Sequence, residues 1–141
     1  MQLIKSPFAF IGRTKLGKIY RPYIIVSFYS KLIDRWLPVE MVVDSGADYT
    51  LLPNRYASIL GIDFESDCSK EKTQGVGGTE MVYQYPKLPL RVNKWEKKIP
   101  VGFLSRDDIP ALLGRLGCLE VLRVTFEKLS TSLELIDRIG V

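Results

Sequence analysis

The chain has 141 residues, 46% hydrophobic and 26% charged, which suits one ordinary globular domain able to bury its own core. Twenty Lys and Arg against sixteen Asp and Glu leave a formal charge of +4, but the basic residues are scattered and show no stripe interleaved with exposed aromatics, so neither nucleic acid nor a membrane is expected as a partner. Histidine is absent and the two cysteines lie far apart, which excludes a Ser-His-Asp or Cys-His catalytic unit, leaves a zinc site almost nothing to draw on, and fits a reduced cytoplasmic protein.

Along the chain there is no repeat, low-complexity segment or linker, and no stretch approaches a signal peptide or a membrane span. Residues 20–30, "YRPYIIVSFYS", are rich in β-branched and aromatic side chains and predict a strand. Residues 35–44, "RWLPVEMVVD", predict a second, joined to the first through "KLID" as a meander. Residues 53–62 carry a helix signature, with Asn54 as cap, apolar Tyr56, Ile59 and Leu60, and Gly61 as the stop. In residues 73–92, Gly75, Gly77 and Gly78 crowd a turn between extended segments, which predicts a hairpin with a mobile tip. Residues 97–105 predict another strand. Residues 111–122, "ALLGRLGCLEVL", predict a short apolar piece continuing into a second helix, with Cys118 packed on its apolar face. Residues 123–136 predict two short strands around a polar turn. Six or seven strands and two short helices make this a mostly-β single domain, residues 1–141, with a closed or strongly coiled sheet.

The chemistry left to such a chain lies in carboxylates, hydroxyls and backbone amides. Residues 41–53, "MVVDSGADYTLLP", place Asp44 at the end of an apolar run with small residues behind it. An Asp-Ser-Gly turn alone is common, because Asp and Ser bond to nearby backbone and Gly accepts a positive φ. Apolar flanks on both sides change its weight: burying an unpartnered carboxylate is costly and raises its pKa. A second carboxyl removes the difficulty, since two acids at hydrogen-bond distance share one proton. One then acts as base toward a water while the other donates to a carbonyl oxygen. This chemistry needs no metal and no cofactor. The chain supplies one such acid, and a two-fold homodimer would supply its twin.

"VVDSGADYTLLP" resembles the active-site loop of the retropepsin-like aspartic proteases. "QGVGGTE" (74–80) resembles their glycine-rich flap tip, and "IPALLGRLGCLEVLRVTFE" (109–127) their apolar-apolar-Gly element with its following Arg, helix and strand. The landmarks fall in the family's order over residues 20–127. One Asp-Ser-Gly loop in 141 residues suits a homodimer rather than the two-loop single chain of the pepsin-like enzymes.

The resemblance implies a closed β-barrel with one flap hairpin, and an aspartic endopeptidase acting on extended polypeptides. Asp44 would be the catalytic acid of each subunit, Ser45 the brace between the two loops, and Gly46 the close approach for substrate backbone. Ala47 and Asp48 would adjoin substrate, Asp48 also pairing with Arg115, bidentate by preference. Gly75, Val76, Gly77 and Gly78 would form the flap tip, closing over substrate through backbone amides. Pro110 and Leu112 would line side-chain pockets or belong to the core. The twenty residues before the first predicted strand, and the C-terminal "STSLELIDRIGV", would modify or cover the dimer contact that viral members make with their chain ends. The alternative on the same fold is a catalytically silent dimeric peptide-binding or interaction module.

Overall fold

The computed structural model describes residues 1–75 and 78–136. The chain opens with three strands, β1 (Gln2–Pro7), β2 (Ala9–Thr14) and β3 (Gly17–Arg21). Residues 1–19 were expected to precede the first strand. Pro22, which has no N–H to offer a ladder, separates β3 from β4 (Tyr23–Ser30) and so divides what reads as one strand over residues 20–30.

β4 alternates buried Ile24, Val26, Phe28 and Ser30 with more exposed neighbours, and β5 (Arg35–Val43) does the same with Val39, Met41 and Val43. The two pair antiparallel, Ile24 opposite Met41 and Val26 opposite Val39, so one apolar face forms across both strands. The turn between them closes through Asp34 at φ 53, a left-handed position that Asp tolerates.

β6 (Thr50–Leu52) leads to helix α1 (Arg55–Leu60), which ends where Gly61 adopts φ 77 and returns its N–H to Ser58. Asn54 is not the expected side-chain cap; its own backbone is helical and its side chain makes no capping bond. A second helix, α2 (Phe64–Asp67), follows at once, capped by the Asp63 carboxylate accepting from the Ser66 N–H at 3.2 Å.

β7 (Ser69–Gly75) and β8 (Gly78–Val92) form a long antiparallel hairpin paired as far as Gly75 opposite Gly78. β8 continues against β9 (Trp95–Leu104), with a register shift between Tyr85 and Leu88. β10 (Ala111–Leu113) is followed not by the expected helix but by a turn and a single 3-10 turn, Leu119–Val121. Gly117 at φ 73 breaks helical continuation there. β11 (Leu122–Glu127) and β12 (Ser130–Leu135) are the last elements of the described residues.

The large sheet runs β4-β5-β10-β6-β9-β8-β7, and β4 also pairs with β8 through Ser27–Arg91 and Phe28–Leu90. That extra pairing closes the sheet on itself, which removes its edges except at the protruding hairpin. The enclosed core is built from Phe28, Met41, Leu52, Leu90, Ile99 and Phe103, all but inaccessible to solvent. Each contributes about 1.5–3 kcal/mol of burial. A second sheet, β1-β12-β11, pairs the two ends of the described chain with each other, and β2 and β3 stand apart as a two-stranded ribbon. Among the described residues no helix is long and apolar enough to cross a membrane.

Candidate active site

β5 delivers Asp44 to the end of the barrel. Its N–H donates to the Leu113 carbonyl at 3.0 Å, carrying the parallel β5–β10 ladder one residue past the strand. The chain then turns on itself. The Gly46 N–H donates to Asp44 Oδ1 at 2.9 Å, and the Ala47 N–H to the Asp44 carbonyl at 3.1 Å. Asp44 is half-buried, whereas Ser45 and Gly46 are exposed, so the carboxylate sits at an open mouth rather than inside the core. A Cβ on residue 46 would lie 3.2 Å from Asp44 Oδ1, tight enough to disturb this bond, and glycine avoids that contact.

A second segment is stitched to the turn. The Arg115 N–H donates to the Ala47 carbonyl at 3.0 Å and the Leu116 N–H to the Asp48 carbonyl at 2.8 Å. The Arg115 guanidinium divides its two ends, donating to Asp48 Oδ1 and to the Ser45 carbonyl, each at 2.7 Å. Its grip on Asp48 is therefore single rather than the bidentate fork expected, because the other arm holds the backbone of the Asp-Ser-Gly turn. Asp48 is largely exposed in the single chain, so its ion pair alone is worth under about 1 kcal/mol.

Beneath them, the buried Thr50 hydroxyl accepts from the Gly114 N–H at 3.1 Å. Gly114 crosses so near Tyr49 that an added Cβ would fall 2.4 Å from the Tyr49 carbonyl group. Sequence reasoning passed over Thr50, which sits inside an apolar run and gains its partner only through the pairing of β6 with β10.

Leu112 lies in β10 between Val42 of β5 and Leu51 of β6, half-buried on the face opposite buried Ala111 and Leu113, and Pro110 is exposed just before the strand. Gly75 and Gly78 face each other at the far end of the β7–β8 hairpin, Gly78 at φ 116, while Val76 and Gly77 lie outside the described residues. Two other residues extend the site beyond the expected set. Tyr49 and Leu116, which directly follow Asp48 and Arg115, line a cleft of about 560 Å³ running to Gln84 and Tyr85 of β8 and to Cys68 at the foot of the hairpin. Burial, with help from Asp67 and Asp63, pushes the Cys68 thiol up to about 11. Burial, only partly offset by Lys97, takes Cys118 to about 12, leaving both neutral near pH 7. Among the described residues no group of three His, Cys, Asp or Glu side chains could hold a metal ion.

The turn, the crossing Gly-Arg segment and the hairpin lie within the reach of one family. The model of the "gag-polyprotein putative aspartyl protease" family matches residues 33–116, more than half the chain and all of the acidic turn. The chain belongs to this family. Its fold is similar to the crystal structure of a retropepsin-like aspartic protease from Rickettsia conorii, with a TM-score of 0.61 and 20% identity over 89% of this chain and 98% of that one. The retropepsin-like barrel expected from the sequence is therefore the fold that this gag-type aspartyl protease domain adopts. No curated protein matches the chain in sequence.

Proposed function

We propose that the chain is a homodimeric aspartic endopeptidase whose water is activated between two Asp44 carboxyls, one from each subunit. The observation carrying this reading is Asp44 itself: an acid held at the open end of the barrel by the Gly46 N–H, in a turn anchored by Arg115. The nearby Asp48 is engaged by Arg115 and so makes a poor second member of the pair. The twin comes from another copy of the chain related by a two-fold axis.

In the reaction the ionised member of the pair takes a proton from water as its oxygen attacks the peptide carbonyl carbon. The protonated member donates to the carbonyl oxygen. Collapse of the tetrahedral intermediate breaks the C–N bond, the leaving amine takes up a proton, and the pair returns to its shared-proton state. Substrate lies as an added strand beneath the β7–β8 hairpins acting as flaps, with Gly75, Val76, Gly77 and Gly78 at the tip offering amides. Ser45 braces the two turns, Gly46 and Ala47 adjoin the substrate backbone, and Pro110 and Leu112 set side-chain preference. The two free thiols, Cys68 and Cys118, support a reducing, cytoplasmic setting.

Purified protein and Asp44→Asn, incubated with unstructured peptides across about pH 4 to 7 and read by mass, test the assignment. Cleavage by the wild type only, with the variant equally folded, is expected. Equal cleavage by both would refute it, and a folded dimer that cleaves nothing would leave a peptide-binding module.

A further inference from the structure

The β2–β3 ribbon is wholly basic, with a charge equal to the net excess of the chain. Between Ala9 and Arg21 it carries Arg13, Lys15, Lys18 and Arg21 and no acid. Removing these four from the twenty Lys and Arg leaves sixteen, which the sixteen Asp and Glu balance. The charges of the remaining residues sum to zero, so the ribbon's own charge equals the chain's net excess and is carried with no acid beside it.

The pairing register arranges that charge. Phe10 stands opposite Tyr20, with ring centroids 5.4 Å apart in an edge-to-face contact, and Arg13 stands opposite Lys18. Lys18 and Tyr20 are two apart on one strand and share a face, so both rings and both cations occupy the same side of the ribbon. Like charges directly opposite one another destabilise a hairpin, and an isolated two-stranded ribbon is marginal to begin with. None of the ribbon's residues is buried, and among the described residues none of the four cations makes an ion pair. Phe10 is 54% exposed despite its size. The ribbon thus bears a repulsive cation pair and an uncovered ring that the rest of the described chain does not compensate.

We infer that this face binds single-stranded nucleic acid, with Phe10 and Tyr20 stacking on bases and Arg13, Lys18 and their neighbours meeting phosphates. A polyanion removes the Arg13–Lys18 repulsion, and planar bases cover the aromatic surface. An anionic membrane fits less well: the side chain standing clearest is Leu16 at the tip, 97% exposed, and one leucine is a weak anchor. The linear sequence hid this face because Phe10 and Tyr20 flank the basic stretch and meet only when the ribbon folds. The inference does not depend on peptidase activity.

Fluorescence anisotropy of the full chain with a labelled mixed-sequence single strand of about 16 nucleotides tests it, with the same sequence as duplex and phosphatidylserine vesicles as competitors. Affinity should fall with salt at a log–log slope of up to about −3 for four phosphate contacts. Arg13→Ala/Lys18→Ala should make the slope shallower by about 1.4. Phe10→Ala should weaken binding about tenfold and Phe10→Tyr should restore it. These exposed changes should leave the circular dichroism spectrum unaltered. Wild-type affinity in both the double variant and Phe10→Ala would overturn the inference, as would equal or tighter binding to the duplex or the vesicles. Loss of self-association in these variants with oligonucleotide binding intact would overturn it too, making the ribbon a contact between copies of the chain.

Discussion

Gly114 is the narrowest point of the site, because its neighbour there is the Tyr49 backbone, which cannot rotate away as a side chain can. Gly114→Ala should separate the Gly-Arg segment from the acidic turn and cost about 3 kcal/mol, read as a lower urea midpoint at unchanged m-value. Thr50→Val, close in shape, leaves the Gly114 N–H without its acceptor in a buried place and should cost about 1–3 kcal/mol. Asp48→Asn should cost under about 1 kcal/mol in the isolated chain, since the pair it weakens is exposed. The same contrast explains what could be read in advance. Asp44, Ser45, Gly46 and Arg115 announce themselves as small and charged residues in an otherwise apolar setting. Thr50 and Tyr49 do not, because their importance comes from a crossing between segments far apart in the sequence. No local pattern encodes that crossing.

Helix α1 and the strands around it were legible because local chemistry and tertiary packing agree. An apolar stripe, a glycine stop with φ 77 and alternating β-branched strands each point to the element observed. Helix α2 was not legible: it has four residues, and Phe64 owes its place to stacking on Tyr83 at 4.2 Å, a contact from another element. The β7–β8 hairpin also depends on a distant partner. Arg106, in the loop after β9, donates to Glu80 of β8 at 2.8 Å and to the Asp108 carboxylate. The Arg106 hydrogen bond holds the Asp108 carboxyl below its ordinary value of 3.8. A depressed carboxyl pKa adds stability that is present above the unfolded value and lost as pH falls through the folded one. The contribution is thus complete above about pH 5 and declines below 3.8. Arg106→Gln should flatten this part of the acid limb, measured as the urea midpoint against pH. It should also increase proteolytic nicking of the β7–β8 hairpin at neutral pH. An unchanged acid limb would mean that solvent already screens the pair.

At the scale of the molecule, the two ends of the described chain are committed to each other. Met1 and Leu135 exchange backbone hydrogen bonds, and β1 lies against β12 with Leu3 buried beneath. These strands therefore meet within one chain, where the sequence left them as extensions around the core. The proposed dimer would complete the Asp44 site around this terminal sheet or away from it, and either arrangement would build each active site from two chains. Mixing gives a test that no single-chain mechanism survives. With the wild-type concentration fixed, an equal amount of Asp44→Asn is added and the subunits are allowed to exchange. Random pairing places about half of the wild-type chains with a variant partner, where the shared-proton pair cannot form. Peptide cleavage should fall to about one half and continue to fall as more variant is added. Diluting wild-type protein alone should reduce its specific activity once the concentration drops below the dimer dissociation constant. Activity that is insensitive to both operations would assign the whole reaction to one chain, and the second carboxyl would then have to come from Asp48 released by Arg115.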